Sequence, residues 1–216
     1  MQKLFTQELL NKITASKIIA VLVVENTDDM IPLTEALLKG GIDSFELTLR
    51  TPNALDCIRL VKEQFPEITL GAGTVLTTQD VCNVKEAGAD FAVAPGFNAK
   101  IVAKAKEVNL PFAPGVCTPS EIEGAVELGC RLLKYFPAET MGGVKHLNSM
   151  VAPYKHLGLS FIPLGGLNLN NELTYMNESL VAAIGGSWIA KADLIASKNW
   201  EQITKNALEA KQLLNS

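Results

Sequence analysis

A lone lysine, Lys134, interrupts the apolar run Arg131-Leu132-Leu133-Lys134-Tyr135-Phe136, which Pro137 closes. The run has the length of a buried strand, so the ammonium belongs at a strand end in a poorly hydrated place. Burial disfavours the charged form of an amine and leaves a usable nucleophile. Taken by itself, the segment is better explained by a lysine that snorkels from a core strand to the surface. The case for chemistry depends on what else converges on it.

Glu46, Thr48 and Arg50 alternate along Ser44 to Leu49 and the residue after it, which places all three on one side of an extended segment. Glu46, flanked by Phe45 and Leu47, is an expensive buried charge without a partner. An internal salt bridge with Arg50 or Lys134 satisfies it, and the same proximity offers a carboxylate for proton transfer beside a basic amine. Thr74 follows the glycine pattern Gly71-Ala72-Gly73, and Pro95 follows a later apolar run. Two glycine pairs, Gly165-Gly166 and Gly185-Gly186 with Ser187 next, suit close packing or the holding of an anion by backbone amides.

The remaining reactive side chains are sparse. Cys57, Cys82, Cys117 and Cys130 are far apart and form no CxxC pair, the usage of reduced packing residues in an intracellular protein. Cys117 opens a loop leading to a helix, yet has no histidine visibly placed to activate it. The two histidines, His146 and His156, make a histidine-rich metal site unexpected.

The elements that must position these groups follow from periodicity. Leu4 to Ile13 carries Phe5, Leu9, Leu10 and Ile13 at helical spacing and predicts an extra amino-terminal helix. Strands are expected at Ile18 to Val24, Ser44 to Leu49, Ile68 to Gly73, Phe91 to Ala94, Pro111 to Gly115, Arg131 to Phe136, Leu159 to Leu164 and Leu180 to Ile184. Helices are expected at Asp28 to Lys39, from Thr51-Pro52 with its cap and first-turn proline, at Thr78 to Ala87, at Ala99 to Val108, after the capping box Thr118-Pro119-Ser120-Glu121, and at Trp200 to Leu214. Eight apolar runs separated by helices indicate parallel βαβ units, and a single domain spanning residues 1–216 most simply closes them into a (β/α)8 TIM barrel. An open doubly wound sheet is the alternative, but no GxGxxG follows the first strand.

Composition agrees with one globular enzyme. Hydrophobic residues make up 48% and charged residues 19%, enough for a large core. A formal net charge of -4 with dispersed acidic residues gives no footprint for nucleic acid or a membrane surface. The amino terminus has no signal-peptide pattern, and a cytoplasmic location is expected.

The segments Phe45-Glu46-Leu47-Thr48-Leu49-Arg50-Thr51, Gly71-Ala72-Gly73-Thr74-Val75-Leu76, Pro95-Gly96, Pro114-Gly115, Lys134-Tyr135-Phe136-Pro137-Ala138-Glu139, Gly142-Gly143, Gly165-Gly166 and Ile184-Gly185-Gly186-Ser187-Trp188 run in one order over nearly the whole chain. Together they resemble the 2-keto-3-deoxy-6-phosphogluconate (KDPG) and 4-hydroxy-2-oxoglutarate (KHG) aldolase family. The resemblance implies a class I aldolase on a (β/α)8 barrel, usually a homotrimer, that cleaves a 2-oxo-4-hydroxy acid to pyruvate and an aldehyde without metal or other cofactor. By motif, it implies Lys134 as the Schiff-base lysine and Glu46 as the general acid/base. Arg50, Thr74 and Pro95 are implied for the pyruvyl pocket, and Gly165, Gly166, Gly186 and Ser187 for the phosphate or distal substrate end.

One position departs from the pattern. Where members acting on phosphorylated substrates typically carry Pro-Thr-Gly-Gly, this chain reads Pro163-Leu164-Gly165-Gly166. Leu164 removes a hydroxyl donor, which leaves open a preference for an unphosphorylated acid such as 4-hydroxy-2-oxoglutarate or for the galactonate-derived phosphate epimer. Two other readings of the same residues remain: a phosphosugar isomerase or epimerase with Glu46 as base, and a non-catalytic 2-oxo-acid binding protein.

Overall fold

Alternation along the strands sorts their side chains into two apolar layers, and this sorting explains most of the architecture. On β1 (Ile18–Leu22), Ile18, Ala20 and Leu22 join an outer core, whereas Ile19 and Val21 join an inner one. All five residues are buried, as expected of a strand covered on both faces. The outer core lies beneath the helices; the inner one, which includes Phe5, Ile13, Phe91, Leu132 and Ile162, is enclosed by the strands.

The computed structural model describes residues 4–215. Helix α1 (Gln7–Ser16) precedes β1 and is capped by Thr6, whose side chain accepts from the Leu9 backbone N–H. There follow α2 (Met30–Lys39), β2 (Ser44–Thr48), α3 (Ala54–Gln64), β3 (Thr69–Gly73), α4 (Thr78–Ala87), β4 (Phe91–Val93) and α5 (Ala99–Glu107). The second half comprises β5 (Phe112–Ala113), β6 (Gly115–Val116), α6 (Pro119–Glu127), β7 (Leu132–Tyr135), α7 (Gly143–Val151), β8 (Ser160–Pro163), α8 (Glu172–Met176), β9 (Ile184–Gly186), α9 (Ala192–Ala196) and α10 (Trp200–Leu214).

The strand pairs are parallel, in a six-stranded sheet ordered β5-β4-β3-β2-β1-β9 and a three-stranded sheet ordered β6-β7-β8. The result is a parallel α/β fold whose larger sheet forms a half-barrel. The fifth expected strand is divided at Pro114, which has no N–H for a ladder: β5 pairs with β4, and β6 pairs with β7. The last expected strand changes partner along its length. Phe161 donates its N–H to the Leu180 carbonyl at 2.8 Å, and four residues on from Leu180, Ile184 donates to the Lys17 carbonyl at 2.9 Å, so regular pairing begins only at Ile184.

Two other expectations shift. Thr51-Pro52 does not begin α3; the helix starts at Ala54, its cap position Asn53 makes no side-chain cap bond, and the Thr51 hydroxyl is buried without a partner. The amino-terminal helix begins three residues later than the apolar spacing alone implied, because Thr6 fixes its start. By contrast, Thr118 accepts from Glu121 N–H with Pro119 in the first turn, as the sequence indicates.

One buried group sits uneasily in this frame. Glu172, in the first turn of α8, is fully buried, and neither carboxylate oxygen has a hydrogen-bond partner. Burial, with a lesser push from Glu209, raises its pKa from 4.5 to about 7. Below pH 4.5 the carboxyl is neutral folded or unfolded. As pH rises from 4.5 towards 7 the unfolded chain loses the proton first, so the native state loses stability across that window. Glu172→Gln removes the effect, and thermal unfolding should show a gain on the order of 3 kcal/mol at pH 8 that vanishes below pH 4.5.

Candidate functional site

The inner face of the strands is largely apolar, and at one level it carries an acid and an amine. On β2, Phe45 and Leu47 belong to the outer core, which turns Glu46 and Thr48 inward. On β7, Leu133 and Tyr135 belong to the outer core and Leu132 to the inner, which turns Lys134 inward as well. Lys134 Nζ donates to Glu46 Oε1 at 3.3 Å across 88 residues of sequence, with side-chain exposures of 7% and 4%. The ammonium also lies 5.6 Å from the centre of the Phe136 ring, within cation–π range.

Of the two partners the sequence left open for Glu46, the structure selects Lys134. Among the described residues Arg50 enters no ion pair, so its guanidinium is available to a ligand carboxylate. The geometry of the pair depends on a neighbour without a side chain. A Cβ on Gly73 would lie 2.3 Å from Glu46 Oε1 and 2.8 Å from Val93. The glycine pattern in β3 thus serves close packing of the carboxylate.

A cavity of about 220 Å³ opens over this pair at the carboxyl-terminal ends of the strands. The side chains or backbones of Glu46, Arg50, Thr74, Pro95, Lys134, Gly165, Gly166, Gly186 and Ser187 all line it, so one site gathers residues spread over more than half of the chain. Thr48 lines it too, as do Val21, Phe136, Leu164, Leu167 and Gly185. Val21 was legible as the partner of Ile19 on the inner face of β1; Leu167 carries no sequence signal.

The distal end is made of backbone. Gly165 and Gly166 adopt φ of 96° and 86°, in the left-handed region that glycine takes without strain, and neither N–H donates within the protein. Successive free amides in such a turn form a concavity suited to an anion. Leu164 lies beside them and packs over Gly185, where a Cβ would meet it at 2.5 Å. Among the described residues no lysine or arginine other than Lys134 and Arg50 lines this cavity.

The loop after β7 is braced from outside. Tyr135 donates to the Gly143 carbonyl at 3.2 Å, stands 2.9 Å from His146 Nδ1, and stacks on that ring. Tyr175 donates to Glu139, and burial pushes the Tyr135 phenol up to about 12. The cysteine thiols of Cys57, Cys117 and Cys130 are raised chiefly by burial, Cys130 to about 11, which fits packing residues. Among the described residues no group of three or more His, Cys, Asp or Glu could hold a metal ion. A second cavity of about 250 Å³, near the amino-terminal ends of β7 and β8, is mostly apolar and holds no acid–amine pair.

Comparison with known proteins extends these observations. A family model described as "KDPG and KHG aldolase" matches residues 9–206. A 2-dehydro-3-deoxy-phosphogluconate aldolase of Haemophilus influenzae is 41% identical over 92% of this chain and 92% of its own length. A KHG/KDPG aldolase of Escherichia coli K12 is 38% identical over the same shares. A solved KDPG aldolase from Legionella pneumophila, with pyruvate captured at low pH as a covalent carbinolamine intermediate, superposes with a TM-score of 0.90 at 36% identity, covering 95% of this chain and 98% of that one.

The steric role of Gly73 is open to direct test. Gly73→Ala should displace the Glu46 carboxylate and lengthen its 3.3 Å contact with Lys134, at a stability cost of about 1–3 kcal/mol from overpacking. A crystal structure of the variant measures the first effect and thermal unfolding the second; an unmoved carboxylate would contradict the assignment.

Proposed function

The chain belongs to the KDPG and KHG aldolase family, and from that membership we propose that Lys134 and Glu46 are its catalytic pair. The protein is a lyase of the class I aldolase type, cleaving 2-dehydro-3-deoxy-6-phosphogluconate to pyruvate and glyceraldehyde 3-phosphate. The observation that carries the assignment of roles is the buried 3.3 Å contact between Lys134 Nζ and Glu46 Oε1 at the floor of the cavity at the carboxyl-terminal ends of the strands.

Glu46 is placed to take a proton from Lys134, leaving a neutral amine that attacks the C2 ketone. The carbinolamine so formed loses water, with Glu46 returning the proton to the leaving hydroxyl, and a protonated imine results. Glu46 then accepts the C4 hydroxyl proton, the C3–C4 bond breaks, and its electrons pass into the imine to give an enamine and a free aldehyde. The same carboxyl protonates C3, and water hydrolyses the imine to release pyruvate. Arg50 holds the carboxylate in a bidentate grip with Thr74 beside it, and Pro95 walls the pyruvyl pocket, which keeps the ketone within reach of the lysine.

At the distal end, the free amides of Gly165 and Gly166, with Gly186 and Ser187, receive the phosphate or the far end of the substrate. Leu164 contributes no hydrogen bond there, so 4-hydroxy-2-oxoglutarate, cleaved to pyruvate and glyoxylate, is a second substrate in the same reading. We extend the half-barrel to a closed (β/α)8 barrel in one domain, with β5 and β6 as two parts of one strand and the 180–186 segment joining β8 to β1. The homotrimer rests on the family resemblance. The cytoplasmic assignment rests on the usage of the four cysteines, which are dispersed, form no CxxC pair and are free.

Steady-state release of pyruvate tests these roles. Lys134→Ala should abolish turnover, and Glu46→Gln should lower kcat by about 10²–10⁴-fold while the protein stays folded. A Lys134→Ala variant with substantial residual activity would sink the covalent route. Leu164→Thr restores a donor beside the free amides, and kcat/KM for the phosphorylated substrate relative to 4-hydroxy-2-oxoglutarate should then rise about tenfold; an unchanged ratio would remove residue 164 from specificity.

A further inference from the structure

Four hydroxyl groups of the described residues are buried without a hydrogen-bond partner: those of Thr34, Ser44, Thr48 and Thr51. Only Thr48 also lines the cavity over Lys134 and Glu46. Its residue is 2% exposed, and a hydroxyl left unpaired at that depth is costly unless something outside the protein pairs with it.

Its position says what that partner is. Thr48 faces inward on β2 in the same phase as Glu46, and Arg50 follows two residues later. Along a strand each step of two residues is roughly 6.5–7 Å, so Thr48 stands one step beyond Glu46 at the end of β2, and Arg50 lies in the turn that follows. Across the ladder it pairs with Gly73, against which the Glu46 carboxylate packs without bonding the Thr48 hydroxyl, and Thr74 comes next. The deeper level is occupied by the Lys134–Glu46 contact, where the ketone must lie. The level of Thr48, between the reacting carbon and Arg50, is where the acid group of a 2-oxo acid falls.

We propose that the Thr48 hydroxyl is a substrate contact, donating a hydrogen bond to the carboxylate of the 2-oxo acid beside Arg50. The inference rests on the aldolase reading above and adds a specificity-determining residue to it. A neutral donor next to a guanidinium satisfies carboxylate lone pairs that the fork leaves open, and it adds directionality without further charge.

The test uses borohydride to trap the adduct with pyruvate, reading half-saturation from intact mass. Thr48→Val, which keeps shape and removes the hydroxyl, should raise the pyruvate half-saturation about tenfold, whereas Thr48→Ser should stay within about threefold of the unmodified protein. Acetone, a ketone with a methyl group in place of the carboxylate, should trap equally in all three proteins. Should Thr48→Val not fold, Thr48→Cys serves as the second variant, with the same rise expected from its weaker donor. Equal pyruvate half-saturation in the valine variant, an equal loss for acetone, or a serine variant as poor as valine would each overturn the proposal while leaving the aldolase reading intact. No adduct in the unmodified protein would overturn both.

Discussion

Removing an ammonium and a carboxylate from water costs several kcal/mol per ion, and only close mutual pairing offsets it. Lys134 and Glu46 meet this condition at 3.3 Å, at 7% and 4% side-chain exposure, and among the described residues neither enters another ion pair. The surrounding structure follows from that requirement. The strand phase must turn both side chains inward, β3 must present a glycine where the carboxylate lies, and Phe136 must cover the amine. The same burial that makes the pair expensive is what makes it useful, since a dry amine beside a dry carboxylate exchanges a proton without first displacing solvent.

The fold keeps the buried acid–amine pair separate from the backbone-lined distal end of the cavity. Lys134 and Glu46 lie on central strand segments locked by parallel ladders on both sides. The distal end of the cavity is built from the 165–166 turn, whose amides are free of partners within the protein, and from the end of β9 with Ser187 beyond it. Leu164 belongs to the inner core yet borders that turn, so one side chain both packs over Gly185 and sets the polarity of the distal wall. In the proposed function, chemistry thereby sits on rigid elements and substrate choice on positions that can change without disturbing them.

Much of this was legible in the sequence because it depends on periods and punctuation. Continuous apolar runs marked the strands, and an isolated lysine or glutamate inside such a run marked a buried charge. The polar residues at strand ends could be collected as one site before any coordinates. What the sequence withheld depends on register and contact. Nothing in Thr51-Pro52 betrays that α3 starts two residues beyond them, because both are good helix-start residues and tertiary packing decides. The exchange of partners along 180–186 is invisible in an apolar run. The choice of Lys134 over Arg50 as the partner of Glu46 turns on a side-chain contact between unpaired strands 88 residues apart, and the packing role of Gly73 shows only once the carboxylate beside it is seen.

The central claim is that this buried pair makes Lys134 a nucleophile towards a 2-oxo acid. The most direct measurement is peptide mass mapping after borohydride reduction in the presence of pyruvate. The account predicts a single reduced three-carbon adduct, located on Lys134 among the lysines of the chain and lost on substitution of that residue. An adduct distributed over surface lysines with Lys134 unmodified would contradict it.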